Sequence, residues 1–372
     1  MRVFTGGHIF DGTALREGLA LVADHDRTLR IVPEGEPSEG EVIPLEGDIL
    51  CPAFVDLQVN GGGGVLFNDA PTQSGLATIA RAHRQAGTGT ILPTLITDTP
   101  QKVRAAIDAV ATTEVPGIAG LHLEGPHLAP AKAGAHDPAL IRPIEPEDMS
   151  LYLDAARRLP RLLITLAPEA ATPNDIATLA KAGVTVSLGH SAPTYEDALA
   201  AFNAGATMST HLFNAMGPMN HRDPGLAGAT LEAGSRVSVG VIADGLHVHP
   251  AMIGLTFRAK KGPRTLFIVS DAMAPFGTEV TTFQLNGRAV TVDGRRLSLA
   301  DGTLAGANTD MLSALRLAVN KAGIPLVAAL RMVTRAPALA ARLPAPVGQL
   351  VAGGPLPLRI ANDLSALRPL SA

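Results

Sequence analysis

The chain has one cysteine and no tryptophan among its 372 residues. A single thiol excludes a disulfide framework and any cysteine-rich zinc or iron–sulfur site. A metal centre in this chain must therefore be built from histidine, aspartate and glutamate, and there are 11 histidines. Charged residues make up only 17% and the net charge is -4, which argues against a nucleic-acid or anionic-membrane surface. Asp or Arg interrupts each longer apolar run before the ~18 residues needed to span a bilayer. The N-terminus, Met1-Arg2-Val3-Phe4-Thr5-Gly6-Gly7, lacks the basic stretch and apolar segment of a secretory signal. The expectation is a cytoplasmic protein with no membrane and no nucleic-acid partner. Aromatics are scarce at 3%, yet apolar residues reach 46%. That is enough for a core of Ala, Leu, Val and Ile, and the length allows one large domain or two smaller ones.

Residues 1–50 read as short strands broken by turn signals at Gly6-Gly7, Asp11-Gly12 and Glu34-Gly35-Glu36-Pro37. The pattern then changes. Apolar runs of strand length alternate with Ala-rich stretches of helical period. The strand candidates are Ala53–Val59, Gly89–Leu95, Ile118–Leu123, Leu162–Leu166, Val184–Leu188, Thr207–His211, Val237–Ile242 and Leu266–Ser270. Continuous apolar strands joined by helices predict a parallel sheet covered on both faces. Eight such repeats favour a (β/α)8 barrel, with a doubly wound open sheet as the alternative. A hairpin is expected over Phe283–Leu299, helices from about Thr309 to Ala341, and short strands over Val347–Leu370. The domain reading is 51–344 for the barrel and 1–50 with 345–372 for a small β-domain.

A barrel carries its chemistry at the C-terminal ends of its strands. Polar, metal-capable residues recur there: Gln58 and Asn60, Glu124, His190, His211, Asp244 and His247, and Asp271. Glu124, His190 and His211 offer one carboxylate and two imidazoles, the three-ligand pattern of a catalytic zinc site that leaves a position for water. Such a metal lowers the pKa of its water to about 7. Asp271 is placed to take that proton and return it to a leaving group, and His247 to donate to an oxyanion. Each residue also has a plainer role. Either histidine alone is more often a hydrogen-bonded structural group, Glu124 can cap a turn, and Asp271 or Arg222 can pair with a neighbour. His25 and His83 read as surface residues and His122 as packed core. The set carries the catalytic reading.

The chain resembles the N-acetylglucosamine-6-phosphate deacetylases of the amidohydrolase superfamily. The resemblance rests on Leu95-Ile96-Thr97, Leu121-His122-Leu123-Glu124-Gly125-Pro126, Leu166-Ala167-Pro168-Glu169, Ser187-Leu188-Gly189-His190-Ser191, Thr210-His211-Leu212-Phe213-Asn214-Ala215-Met216, Ile242-Ala243-Asp244-Gly245-Leu246-His247, Ser270-Asp271-Ala272 and Leu304-Ala305-Gly306. It implies an α/β fold, a (β/α)8 TIM-like barrel with a small β-sandwich formed by both chain ends. It implies hydrolysis of the N-acetyl group of N-acetylglucosamine 6-phosphate, with a metal-activated water and an Asp acid/base. Glu124, His190 and His211 then match metal ligands, Asp271 the acid/base, and His247 the group on the substrate carbonyl. Gln58, Ala135, His136, Asn214, Ala215, Arg222, Leu304, Ala305, Gly306 and Ala307 match substrate-binding positions, with Arg222 on the phosphate. A homodimer is implied too, in which His136 reaches its own or a neighbouring site.

Many superfamily members carry His-x-His at the end of the first strand. Here the positions are Gln58 and Asn60, which are poor zinc ligands. One divalent ion per subunit is expected, zinc first, with iron, manganese or cobalt open. Three rival functions remain in view. One is an N-acetylgalactosamine-6-phosphate deacetylase. The second is a cyclic-amide hydrolase or dipeptidase, disfavoured by the missing His-x-His. The third is a non-catalytic amino-sugar-phosphate regulator, which fits loss of Asp271 or a ligand, and neither is lost.

Overall fold

A computed structural model describes residues 1–260, 262 and 265–370. Its centre is an eight-stranded parallel sheet whose spatial order follows the chain. The strands are Phe54–Val59, Thr88–Ile96, Leu121–Glu124, Leu162–Leu166, Thr185–Leu188, Met208–Ser209, Ser238–Ile242 and Leu266–Val269. A doubly wound sheet reverses strand order partway, and this one does not, so the barrel is the observed architecture. The sixth strand is shorter than the expected Thr207–His211, because the chain turns into a left-handed conformation at His211.

Helices follow each strand, and threonine starts several of them. The hydroxyls of Thr72, Thr99, Thr172 and Thr194 accept from backbone N–H groups in the first turns of helices Gln73–Gln85, Pro100–Ala111, Pro173–Lys181 and Tyr195–Ala204. Such a cap satisfies a donor that the helix cannot, and the proline after Thr99 and Thr172 suits the first helical position. The helices bury their apolar stripes on the outside of the sheet. Inside, Val55, Leu57, Leu92, Leu163, Met208, Phe267 and Val269 fill the barrel, and Ala336, Ala338 and Leu343 close its lower end.

The helix Gln73–Gln85 corrects one expectation. His83 is buried, not on the surface. It lies on the stripe of Leu76, Ile79 and Ala80, all buried, which is the i, i+3, i+4, i+7 face of a helix. Its Nε2 is 2.9 Å from the Gly61 carbonyl and its ring stacks on Phe276 at 4.3 Å. Burial lowers its pKa to about 4, so it is neutral and braces the glycine loop.

Both chain ends build sheets outside the barrel. One joins Arg2–Thr5, Leu19–Ala23, Thr28–Pro33 and Glu41–Pro44; the other joins His8–Phe10, Leu15–Arg16, Ile49–Cys51, Leu358–Ile360 and Leu367–Arg368. Phe4, Leu21 and Ile43 of the first pack with Ile9 and Leu50 of the second, as in a sandwich. The expected hairpin is present and larger. Thr282–Leu285, Arg288–Asp293, Arg296–Ser298 and Leu304–Ala307 form a four-stranded sheet against the barrel mouth. Among the described residues no helix is long and apolar enough to cross a membrane.

The buried ammonium of Lys260 ends helix Pro250–Ala259 and donates to the carbonyls of Thr230, Gly234 and Val237 at 2.7 to 2.8 Å. It ties the turn before the seventh strand to the helix after it. Lys260→Met keeps the apolar stem but orphans these carbonyls, and hydrogen bonds to a charged group are the stronger kind. The variant is expected to lose about 3 kcal/mol of stability, read as a lower urea midpoint; an unchanged midpoint contradicts this role.

Candidate active site

The reactive groups stand where strands end. Glu124 is the last residue of the third strand, and His190 and His211 each lie two residues beyond the fifth and sixth. Both histidines have left-handed backbones, with φ of 48° and 29°. That conformation turns the chain sharply off the strand and toward the barrel axis. Gly189 permits it, because a Cβ there would lie 2.9 Å from both Thr165 and Thr210. Three strand ends are thus folded onto one point. Glu124 Oε1 is 3.2 Å from His190 Nε2 and 3.0 Å from His211 Nε2, and the two Nε2 atoms are 3.1 Å apart.

This donor set fits a divalent cation. The Nδ1–H of His190 donates to the Lys132 carbonyl at 2.8 Å, which leaves the Nε2 lone pair facing the cluster. His211 also turns Nε2 inward, and both imidazoles meet a buried carboxylate. Burial opposes ionisation of Glu124, yet the two histidines beside it outweigh that effect and hold the carboxyl well below its usual range. The same carboxylate raises His211 against the effect of burial. Below the cluster, His122 Nε2 meets the Thr165 hydroxyl at 2.8 Å. Burial lowers His122 to about 4, so it is neutral core, as expected.

Gln58 and Asn60 occupy the positions of the absent His-x-His. Gln58 Nε2 donates to Glu124 Oε2 and to Asp271 Oδ1, each at 3.1 Å, and Asn60 Nδ2 donates to Asp271 Oδ1 at 2.7 Å. Two amides therefore aim Asp271, and Gln58 couples it to a cluster ligand. Asp271 has φ of 52°, and its backbone N–H donates to the Gln58 carbonyl at 3.1 Å. Burial and then the Glu124 charge push its carboxyl up to about 6. A carboxyl so tuned can exchange a proton near neutral pH. His247 Nδ1 lies 2.7 Å from Asp244 Oδ2. Burial works against that carboxylate, but the His247 hydrogen bond keeps it below its ordinary value.

Asn60, Glu124, His190, His211, His247 and Asp271 line one cavity of about 390 Å³, together with Ala135, His136, Asn214, Ala215, Leu304, Ala305 and Gly306. His136 faces the cavity of its own chain, its ring 4.3 Å from that of His190, with Nδ1 on the Thr97 hydroxyl at 2.8 Å. Gln58 sits behind the lining. Ala307 is buried, and its N–H donates to the Asp271 carbonyl at 2.9 Å, so it supports Asp271 from the hairpin sheet. Arg222 does not line the cavity. It is exposed on the loop after Met216, and among the described residues it forms no pair with Asp223.

Several contributors escaped sequence reasoning. The sequence marks Asn60 as a polar strand-end residue and a poor ligand but not as a partner of Asp271, and the Lys132 carbonyl and the cavity wall at Met273 and Leu285 carry no sequence signal. Asp244 was visible, three residues before His247 in one turn. Asp56 is fully buried at the seam of the first and eighth strands. Its carboxylate accepts from the N–H of Gln58 at 3.1 Å and of Ser270 at 3.2 Å, so a side chain joins strands that carry no regular ladder there.

A barrel with one carboxylate, two imidazoles and an aspartate at its strand ends has the organisation of a metal-dependent hydrolase. The Amidohydrolase family model matches residues 49–355. The chain belongs to the amidohydrolase family and, within it, to the N-acetylglucosamine- and N-acetylgalactosamine-6-phosphate deacetylases. It is 45% identical over 297 residues to the N-acetylgalactosamine-6-phosphate deacetylase of Shewanella sp. (strain ANA-3), covering 79% of this chain and 74% of the relative. It is 36% identical over 317 residues to the N-acetylglucosamine-6-phosphate deacetylase of Haemophilus influenzae, covering 83% and 82%. The crystal structure of N-acetylglucosamine-6-phosphate deacetylase from Pasteurella multocida superposes with a TM-score of 0.90 at 34% identity, covering 98% of this chain and 96% of that one.

Burial lifts Asp56 from the ordinary 3.8 to about 7. Between those values the folded protein holds this proton more tightly than the unfolded chain. The stability it contributes is complete below about pH 4 and is lost as pH rises through 7. The stability of the wild type relative to Asp56→Asn is therefore expected to fall from about pH 4 to 7, measured by urea unfolding. A difference independent of pH contradicts the assignment.

Proposed function

We propose that this protein hydrolyses the N-acetyl group of N-acetylglucosamine 6-phosphate, giving glucosamine 6-phosphate and acetate. The observation that carries the reading is Asp271, aimed by Gln58 and Asn60 beside the Glu124–His190–His211 cluster at the floor of the cavity. Glu124, His190 and His211 would hold a divalent cation, which would supply a water of lowered pKa and a Lewis acid for the carbonyl. Asp271 takes the proton of the attacking water and returns it to the departing nitrogen. His247, held by Asp244, donates to the carbonyl oxygen as negative charge develops there. His136, Asn214, Ala215 and the segment Leu304–Ala307 shape the space for the sugar. Arg222, exposed on the loop that follows the lining residues Asn214 and Ala215, takes the phosphate; a guanidinium suits two phosphate oxygens at once. Binding at that remote group orients the amide. One ion per subunit, zinc first, fits a first strand ending in amides. A homodimer acting in the cytoplasm completes the proposal.

The 45% identity to an enzyme named for the galacto substrate favours a second reading, N-acetylgalactosamine 6-phosphate, which differs at one hydroxyl. Acetate release from both sugars, each with and without 6-phosphate, in metal-replete enzyme decides between them. A chain inactive on all four is not a deacetylase of this class.

Asp271→Asn keeps the shape and loses the proton acceptor. Turnover is expected to fall by at least ~100-fold while bound metal, measured by elemental analysis, is unchanged. Near-wild-type rates in the metal-loaded variant remove Asp271 from its role. Arg222→Ala is expected to raise KM for phosphorylated substrates by about tenfold or more and to leave unphosphorylated ones little changed. Equal loss on both contradicts the phosphate assignment.

A further inference from the structure

The segment Leu166-Ala167-Pro168-Glu169 leaves the fourth barrel strand, and none of it lines the cavity. Its glutamate nevertheless reaches the neighbouring strand end. Glu169 Oε2 accepts from the Ser191 hydroxyl at 2.5 Å, and Oε1 accepts from the Ala192 N–H at 2.7 Å. Among the described residues no other side chain bonds either donor. Ser191 and Ala192 are the two residues that follow His190.

His190 needs such support. Its φ of 48° places a non-glycine residue in the left-handed region, which persists only where the surroundings over-determine it. The constraints come from several directions. The Lys132 carbonyl accepts from the ring, and the His190 carbonyl accepts from the Ala129 N–H at 2.9 Å. The Ser191 N–H donates to the Ala215 carbonyl at 3.0 Å. Glu169 supplies the remaining two bonds, and it is the one charged partner among these. Bonds to a carboxylate are shorter and stronger than neutral ones. Ser191 is fully buried, and Glu169 is the side-chain partner of its hydroxyl.

We infer that Glu169 is a positioning residue for His190: its carboxylate clips the turn after the histidine and so sets the direction from which Nε2 meets the metal. It touches neither metal nor substrate. The inference rests on the metal site proposed above. It also explains why an exposed glutamate stands at this strand end when the cavity has no use for it. Outer partners of ligating histidines commonly change metal affinity by about 10–100-fold when removed.

The test uses the full-length protein loaded with zinc or cobalt(II). Wild type, Glu169→Ala, Glu169→Gln and Ser191→Ala are compared by chelator competition, by the visible bands of the cobalt form, and by thermal unfolding of the metal-free form. Wild type is expected to bind one ion. Glu169→Ala is expected to lose metal affinity by about 10–100-fold and to shift the cobalt bands. Ser191→Ala keeps the Ala192 bond and is expected to lose less. Glu169→Gln retains one acceptor and falls between. Excess metal is expected to restore most of the activity of Glu169→Ala. Wild-type affinity and cobalt bands in Glu169→Ala overturn the inference, even if its unfolding temperature drops, since Glu169 then serves stability alone. If Glu169→Ala does not fold, the same comparison is made with Glu169→Gln and Ser191→Ala, and unchanged affinity in both overturns it. A wild type that binds no divalent ion overturns the metal site itself, a distinct failure.

Discussion

An ionised carboxylate inside a protein needs cationic or hydrogen-bonding compensation, and Glu124 is such a group. Two imidazoles and an amide converge on its oxygens. This one demand organises much of the barrel mouth. Strands three, five and six must end at the same level for the two histidines to reach it. Gln58 is drawn in from the first strand, and through Gln58 the same carboxylate is linked to Asp271 on the eighth. The Glu124 charge also helps raise Asp271. The groups proposed to hold a metal and to move a proton are thus one electrostatic unit.

The geometry that achieves this is strained at three of these residues. His190, His211 and Asp271 all have left-handed backbones, where each non-glycine residue costs about 1–3 kcal/mol. Extended strands alternate their side chains between faces and would point half of them away from the mouth. A left-handed residue just past the strand redirects the side chain into the cavity. The surrounding bonds from Lys132, Ala129, Glu169, Gln58 and Ala307 are the counterpart of that strain. They hold the turns past the strand ends in a defined shape.

Much of this was legible beforehand because a barrel couples position along the chain to position in space. Once strands alternate with helices, every strand end lies at one rim, so Glu124, His190, His211, His247 and Asp271 had to be neighbours. Departures arose where side chains act across the chain. The bonds from Asn60 to Asp271 and from Asp56 to Ser270 join residues more than 200 positions apart, and no local pattern announces them. Backbone carbonyls such as that of Lys132 carry no sequence signal. His83 is a different case. It completes the apolar stripe of Leu76, Ile79 and Ala80, whereas its polarity suggests a surface position. The place of Arg222 outside the cavity lining has no sequence signal either, since an exposed loop has no periodicity to place it.

The strand Ile49–Cys51 leads directly into the first barrel strand, and its sheet partner is Leu358–Ile360, with Ile49 opposite Ile360. The chain between them contains the whole barrel. Closing a loop of that length carries an entropy cost that only long-range contacts recover. On a ribosome, which releases the chain from one end, the barrel strands emerge before the strand that completes the sheet rooting them. Asp48 likewise waits for Arg359, its buried partner at 2.7 Å. That sheet is therefore completed only after the barrel strands have emerged. Until then its apolar edge at Ile49–Cys51 is open to other chains.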